Sequence, residues 1–258
     1  MSKKDDRLNQ FIKLLEKQNG MTVRELALAL DVSEMTIRRD LETLKEKNVI
    51  LDVPGVAVLN NNYTYEDGQT YHLSRATHKN AREKERMGRF AATLIEPYDC
   101  IFIDNGSTTE YLADNLPKDT KLTVFTSNLN ILNKICNNSY ISIIFGGGYY
   151  HPETSLFECS ESIQLIKKIR ATKVFISAAG VHETMGITCM NNYELSIKQE
   201  FMRSGAEKIL LVDSSKFGVI RPSFLIELDI FDRIITDDNL SEEWIQIIRK
   251  KGIKLNLV

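Results

Sequence analysis

The sequence predicts a protein of the α/β class with two parts, a small helical domain followed by a larger domain of alternating strands and helices. Three observations support this division. Three short amphipathic helices are predicted within the first 44 residues, and a polar stretch with a glycine follows at 60–69. Short apolar segments then alternate with helical ones up to the last residue. The predicted limits are residues 1–60 for the first domain, 61–83 for a connector and 84–258 for the second domain.

Each of the three N-terminal helices has one apolar face, which predicts a small three-helix core. Thr22 and Ser33 precede the second and third helices as N-caps, because a hydroxyl can accept from the free amides of a first turn. Ile50 to Leu59 reads as two short strands around Pro54 and Gly55, a winged extension of a helix-turn-helix. The side chains expected to face inward are Leu8, Phe11, Ile12 and Leu15 of the first helix, Val23, Leu26, Ala27 and Leu30 of the second, and Ile37, Leu41 and Leu44 of the third.

The exposed face of the third helix has the chemistry of a DNA-reading surface. At about 100° per residue, Met35, Arg39 and Thr43 lie opposite the apolar stripe, and Thr36 and Arg38 lie on its flanks. Guanidinium and hydroxyl groups suit guanine edges and phosphate oxygens in a major groove, whereas two solvated arginines are the ordinary alternative. The surrounding helix-turn-helix pattern favours double-stranded DNA as the partner. The predicted DNA-binding residues are Ser33, Met35, Thr36, Arg38, Arg39 and Thr43.

The charge balance of the first domain predicts that one copy binds DNA weakly. Its 60 residues contain ten basic and ten acidic side chains, so the domain has no net charge. Non-specific attraction to phosphates should therefore be modest. We expect a homo-oligomer, a dimer or a tetramer, that places two recognition helices on paired half-sites.

The second domain should contain a largely parallel sheet, because short apolar strands alternate with helices along the chain. The connector before it includes a basic segment, residues 72–84, which is either a solvated linker or an inter-domain helix near the DNA. Strands are predicted at 100–104, 122–127, 141–145, 174–179, 209–213, 234–236 and 254–258, and helices at 86–95, 108–116, 131–136, 155–169, 193–204 and 242–250.

Polar residues that follow the strands predict a small-molecule site. Ligands of such sheets gather at the carboxyl ends of the strands, where helix N-termini and glycine-rich turns favour anions. Each set alone could be a helix cap or a plain loop, and Lys216 could be a solvated surface lysine; four sets together favour a phosphate- or carboxylate-bearing ligand. No P-loop is present, and we expect neither a nucleoside triphosphate nor another cofactor. The residues concerned are Asp104, Gly106, Ser107, Thr108, Thr109, Ser127, Asn128, Gly147 and Lys216.

The composition excludes several other classes of protein. The net charge is −2, and no apolar run approaches the roughly 20 residues of a membrane span. The N-terminal residues lack the apolar core of a secretory signal, so a cytoplasmic location is expected. Cys100, Cys136, Cys159 and Cys189 are scattered without metal-like spacing and are expected to be buried free thiols rather than zinc ligands.

The segment VRELALALDVSEMTIRRDLETL resembles the DeoR family of bacterial transcriptional regulators, above all in its VS-x-x-TIRRDL core. Further along, IDNGSTT, TSN, FGGG, AAGVHETMGIT and DSSKFG resemble the sensor domain of the same family, which is similar to ribose-5-phosphate isomerases and CoA transferases. The resemblance covers about residues 5–57 and 75–258. It implies a winged helix-turn-helix regulator, a repressor of sugar catabolism genes, with a phosphorylated sugar or related metabolite as effector. It also adds Glu194 and Lys198, from the Glu194-x-x-x-Lys198 motif, to the effector-binding residues.

The chain departs from the family pattern at two places. The family usually carries Arg and His-Gly-Gly near the wing hairpin, whereas this chain has Asp52, Pro54, Gly55 and Val56. An aspartate that faced the DNA backbone would repel it. Cys159 stands where the family more often has Gly after the triple-glycine loop.

Two functions compete on the sequence. In the first, the effector binds one arrangement of the sensor domains better and so changes the spacing of two recognition helices. In the second, the chain is a sugar-phosphate isomerase with an appended DNA-binding domain, and Asp104, Glu194 and Lys216 serve as acid, base and electrostatic stabiliser. The sequence gives no clear matched pair of general acid and base, which favours the regulator without catalytic residues.

Overall fold

A computed structural model describes residues 7–8, 10–12, 14–15, 20–46, 49–53, 55–59 and 80–258. Pro54, the side chain of Asp52, the predicted boundary at 60–69 and all of the connector up to residue 79 lie outside the described residues.

The N-terminal domain is a winged helix-turn-helix, as predicted. Residues 7–15, where described, form helix α1; α2 is Val23–Ala29 and α3 is Glu34–Glu46. Strands β2 (Ile50–Val53) and β3 (Val56–Leu59) form the wing, and the two-residue strand β1 (Met21–Thr22) adds an unpredicted third strand beside β3. The predicted core is confirmed at Leu8, Phe11, Ile12, Leu15, Leu26, Ala27, Ile37 and Leu44, which are buried, while Val23, Leu30 and Leu41 are half-buried.

The second domain contains a seven-stranded parallel sheet, which confirms the predicted α/β class. Its strand order is β15-β14-β12-β9-β4-β5-β6, and every neighbouring pair is parallel. From β4 the chain adds β5 and then β6 on one side. It then returns to add β9, and after it the remaining strands, on the other side of β4. The strands are β4 (Cys100–Ile103), β5 (Leu122–Thr126), β6 (Ile141–Phe145), β9 (Ala171–Ser177), β12 (Gly205–Leu211), β14 (Arg233–Thr236) and β15 (Lys254–Leu257).

Helices cover both faces of this sheet because alternate strand residues point in opposite directions. Ile101 and Ile103 pack in a core with α4 (Ala81–Ala92), α5 (Ser107–Asp114) and α6 (Leu129–Ile135). Phe102 lies in the other core, with α7 (Ser160–Lys167), α8 (Leu195–Ser204) and α9 (Glu242–Lys250). A small antiparallel sheet, β10 (Gly180–His182), β11 (Gly186–Cys189) and β13 (Ser223–Ile226), packs in this second core.

The predicted helix at 155–169 is wrong in its first part. Leu156–Glu158 is strand β8, paired antiparallel with β7 (Tyr149–His151), and the helix begins only at Ser160. The Phe157 amide donates to the Ser127 carbonyl at 2.8 Å, so pairing with a distant segment overrides the local helical pattern. The small antiparallel sheet was missed altogether, α4 begins five residues before its predicted start, and residues 192–194 form a 3-10 turn before α8.

The cysteine prediction is wrong in one respect. Cys189 is buried and Cys100 and Cys159 are half-buried, but Cys136 is exposed. Along the described part of the chain, no helix combines the length and apolarity needed to cross a bilayer.

Candidate functional site

Four of the six predicted DNA-binding residues, Ser33, Met35, Arg38 and Arg39, are exposed at helix α3, whereas Thr36 and Thr43 are half-buried. The Ser33 hydroxyl accepts from the Thr36 amide at 3.2 Å, which confirms its role as the N-cap. Met35 is 62% exposed, and Arg38 and Arg39 are exposed. The Thr43 hydroxyl donates to the Arg39 carbonyl at 3.0 Å, so its own hydrogen is used within the helix. The arginines and Met35 are therefore the groups available to reach base edges.

An ion pair with a buried carboxylate holds this helix in place. Asp40 is 1% exposed and accepts two hydrogen bonds from the Arg7 guanidinium, at 2.6 and 3.1 Å. Arg7 lies on α1, so the pair joins the first and third helices. Arg38 and Arg39 thus face solvent, whereas the next residue, Asp40, faces inward. The sequence did not predict this structural role of Asp40.

The second candidate site lies where the strand order reverses, between β4 and β9. In open parallel sheets this switch point leaves a crevice at the carboxyl ends of the strands. Asp104 follows β4, and one of its oxygens, Oδ2, accepts from the amide and the hydroxyl of Ser177, both at 3.0 Å. Ser177 ends β9, so these hydrogen bonds span the switch point.

A buried lysine completes this cluster. Lys198, on α8, donates to Asp104 Oδ2 and to the carbonyl oxygens of Ser177 at 3.2 Å and Asn105 at 3.4 Å. Its Nζ lies 3.8 Å from Oε2 of Glu194, one turn earlier on the chain. The side-chain amide of Asn105 donates to the same Glu194 oxygen at 3.1 Å. The structure therefore brings together the predicted residues Asp104, Glu194 and Lys198.

The lysine remains charged despite its burial. Burial, the largest single influence, lowers the pKa of Lys198, but Asp104 together with Cys189 and Glu194 raises it by more, so the net pKa lies well above the ordinary value. The neighbouring Cys189 thiol has a pKa raised by burial and stays protonated at neutral pH. Lys198 thus acts as a fixed positive charge and is unsuited to accept a proton.

Three polar atoms that follow β4 and β5 have no hydrogen-bond partner among the described residues. They are Asp104 Oδ1, Asn105 Oδ1 and Ser127 Oγ, each on a side chain at least 94% buried. Buried polar atoms are rarely left unpaired in proteins. Two of the three can only accept a hydrogen bond, so this end of the crevice suits a group that donates, such as a hydroxyl.

Glycines bring the backbone close to this end of the crevice. A Cβ at Gly106 would collide with the Ser177 side chain, and a Cβ at Gly146 would collide with Ser127 Oγ. Gly106 is also the N-cap of α5, and no side chain caps that helix. The first amides of α5, at Ser107 and Thr108, are therefore positioned to receive an anion.

The remaining predicted effector-binding residues form other hydrogen bonds or lie farther along the sheet. The Thr109 hydroxyl donates to the Asp104 carbonyl at 2.6 Å, and the Asn128 side chain caps α6 and donates to the Thr154 carbonyl at 2.9 Å. The Gly147 carbonyl accepts from the Ser162 hydroxyl at 2.8 Å. Lys216 is half-buried in the turn after β12, one strand beyond β9 from Asp104.

Sequence reasoning missed Ser177 and Asn105 as members of the cluster. Asn105 lies within the IDNGSTT motif but was not selected. Ser177 was missed because its strand was predicted to run on to Ala179, so the search for polar residues after strands passed over it. Ending that strand at the last apolar residue, Ile176, would have found it.

Both parts of the chain match known family patterns. Residues 7–62 match the DeoR-like helix-turn-helix domain, and residues 79–238 match the DeoR C terminal sensor domain. The chain belongs to the DeoR family of transcriptional regulators. This confirms the resemblance drawn from the TIRRDL and IDNGSTT motifs.

Relatives in this family align with almost the whole chain. The "Deoxyribose operon repressor" of Escherichia coli (strain K12) is 30% identical over 254 residues, 98% of each chain. The "HTH-type transcriptional regulator GolR" of Listeria innocua is 33% identical over 252 residues, again 98% of each chain. A solved ribose 5-phosphate isomerase A from Methanocaldococcus jannaschii aligns with 54% of this chain and 55% of its own, with 15% identity and a TM-score of 0.40.

Replacing Arg39 by Ala should weaken specific DNA binding by about 1–3 kcal/mol if Arg39 reads a guanine edge. The measurement is a gel-shift titration at fixed salt, with a duplex obtained by in vitro selection. Arg89→Ala is the matched control, because it removes one exposed arginine from α4 in the other domain. Equal DNA affinities of the two variants would show that Arg39 does not contribute to the DNA interface.

Replacing Lys198 by Met should destabilise the sensor domain by about 3–5 kcal/mol, because Asp104 would be left as an uncompensated buried charge. Adding Asp104→Asn to that variant should recover part of the loss. Lys134→Met is the control, since its 2.7 Å ion pair with Asp114 is at the surface and should contribute at most about 1 kcal/mol. Chemical denaturation measures the wild type, Lys198→Met, Asp104→Asn, their double variant and Lys134→Met, and additive effects of Lys198→Met and Asp104→Asn would contradict the coupling.

Proposed function

We propose that this DeoR-family regulator is a repressor of sugar catabolism genes whose operator binding is modulated by a phosphorylated sugar or a closely related metabolite. The effector binds at the switch point between β4 and β9. The chain acts as a homo-oligomer on paired half-sites and is not an enzyme. Two relatives in the family carry names that refer to sugar operons, the deoxyribose operon and the lactose phosphotransferase system, which supports this class of regulated gene.

The observation that carries the proposal is the set of unpaired buried atoms at Asp104, Asn105 and Ser127. The nearby ionisable groups, Asp104, Glu194 and Lys198, sum to one formal negative charge, so a phosphate would be repelled from this point. A hydroxylated carbon chain instead supplies the donors that these atoms lack.

The phosphate belongs beside these acceptors, at the first turn of α5. The uncapped first turn of α5, with the amides of Ser107 and Thr108, offers donors and the positive end of the helix dipole. Lys216 supplies a full positive charge on the far side of β9. A ligand with hydroxyls at one end and a phosphate at the other fits this division of charge.

The alternative, an isomerase, has less support from the same geometry. A general acid and base must exchange protons with the substrate, yet Asp104, the acid of this alternative, is bound by Ser177 and Lys198, and Glu194, its base, accepts hydrogen bonds from Asn105 and Asn191. Incubation with pentose and hexose phosphates should therefore give no ketose–aldose turnover, and turnover that is lost in Glu194→Gln would reverse this assignment.

The test of the proposed function is a thermal-shift panel on the full chain. The panel contains ribose 5-phosphate, 2-deoxyribose 5-phosphate, fructose 1-phosphate, galactitol 1-phosphate, the matching free sugars and inorganic phosphate. A ligand at 100 times its Kd should add about 2.7 kcal/mol to stability, whereas the free sugars and phosphate should add much less. A panel without any selective shift, or one in which phosphate alone gives the full effect, would count against a sugar phosphate effector.

The Lys216→Ala variant should bind DNA normally but respond only to higher effector concentrations. Loss of one charge-assisted contact removes about 1.5–3 kcal/mol. This corresponds to roughly a ten- to hundredfold higher concentration of the compound found in the panel. Lys254→Ala, an exposed lysine on β15, is the control. An unchanged response in Lys216→Ala would mean that Lys216 is an ordinary surface lysine.

A further inference from the structure

The loop between β12 and β13, residues 212–222, contacts both the start of α4 and the DNA-binding domain. At one end, Asp213 accepts a hydrogen bond of 3.0 Å from the side chain of Asn80, the residue from which α4 begins. At the other end, Ile220 lies against Gly20, which immediately precedes β1 of the DNA-binding domain. We call residues 213–221 the coupling loop.

The contact between Gly20 and Ile220 is close. A Cβ placed on Gly20 would lie 2.8 Å from Cδ1 of Ile220 and 3.0 Å from its Cβ and Cγ1. Ile220 is only 3% exposed although it lies in a loop. Gly20 has φ of +97°, in the left-handed region that favours glycine. A larger residue at position 20 would therefore displace Ile220 or push the two domains apart.

An electrostatic interaction between the two domains accompanies this contact. Burial lowers the pKa of His182, at the end of β10, and the carboxylates of Glu183 and Glu25 act in the opposite direction. Glu25 belongs to α2, where it forms the capping box with Thr22. A charge of the DNA-binding domain therefore acts on a side chain of the sensor domain.

Hydrogen bonds connect the coupling loop with the proposed effector site. Ser177 binds Asp104, and the chain runs directly from Ser177 into β10. The Gly218 amide then donates to the Val181 carbonyl at 2.8 Å, and the Arg221 amide donates to the Thr188 hydroxyl at 2.9 Å. The loop that touches Gly20 is thus hydrogen-bonded to β10. This strand follows Ser177, which binds the Asp104 carboxylate of the proposed effector site.

We propose that the coupling loop docks the DNA-binding domain on the sensor domain and transmits the state of one domain to the other. Met35, Arg38 and Arg39 remain exposed in this arrangement, so docking sets the direction of the recognition helix and does not cover it. The link to an effector rests on the proposed function, but the docking itself does not and can be tested without a ligand.

The first experiment compares Gly20→Ala with Gly55→Ala in the full chain. Gly55 has φ of +79°, so both substitutions carry left-handed strain, but a Cβ at Gly55 meets nothing within 4 Å. We expect Gly20→Ala to accelerate amide hydrogen exchange at residues 218–221 by about tenfold, because the loop loses its cover. Adding Ile220→Ala to Gly20→Ala should bring its exchange rates closer to those of Gly55→Ala, because the clashing Cδ1 and Cγ1 atoms are then absent. Equal exchange in the two glycine variants would overturn the docking.

A second pair of variants approaches the contact from the sensor domain, in case Gly20→Ala does not fold. Ile220→Lys should separate the domains and increase the radius of gyration measured by small-angle scattering. Ile230→Lys, at a position already 43% exposed, is the control and should leave the radius unchanged. A radius in Ile220→Lys equal to that of the wild type would also overturn the docking.

Transmission between the domains is measured with DNA as the probe. A saturating in vitro selected duplex should change hydrogen exchange at residues 177–181 by about threefold or more in the wild type and in Gly55→Ala, and not in Gly20→Ala. An equal response in Gly20→Ala and Gly55→Ala would mean that the coupling loop does not carry the signal.

Discussion

The buried ion pair between Lys198 and Asp104 organises the sensor domain. It joins α8 to the end of β4, and its two side chains are each 1% exposed. An unpaired charge in such an interior would cost several kcal/mol, so α8, β4 and β9 must keep their relative positions. The pairing uses only Oδ2 of Asp104, together with Ser177, and leaves Oδ1 without a partner in the part of the chain that the structure describes. The same interaction therefore holds the switch point together and presents an acceptor to a ligand.

A second ion pair has the corresponding role in the DNA-binding domain. The buried Asp40 is held by the half-buried Arg7 and anchors α3, whose outer face carries Arg38 and Arg39. Because Asp40 faces inward, the two arginines before it have a defined direction. Rotation of α3 about its axis would break both hydrogen bonds to Arg7, so the ion pair opposes rotation of the face that carries the arginines.

The sequence predicted correctly those features that depend on residues close together along the chain. Leu26 and Ile37 were predicted to be buried because a helix on a small core buries one stripe, and Asp104 was found because it follows an apolar strand. The error at 155–159 came from non-local pairing, since β8 is held partly by the Ser127 carbonyl. The partner of Asp104 could not be predicted from spacing, because Lys198 is 94 residues away in the sequence.

The neutral charge of the DNA-binding domain bears on how such a protein can be regulated. With ten basic and ten acidic residues in the first 60, non-specific attraction to DNA is small and most affinity must come from contacts of correctly oriented helices. A shift of orientation that removes about 1–3 kcal/mol, a usual size for coupling between sites, then lowers occupancy of the operator markedly. A strongly basic domain would stay on DNA after such a shift. Weak background binding thus lets a small change at the coupling loop act as a switch.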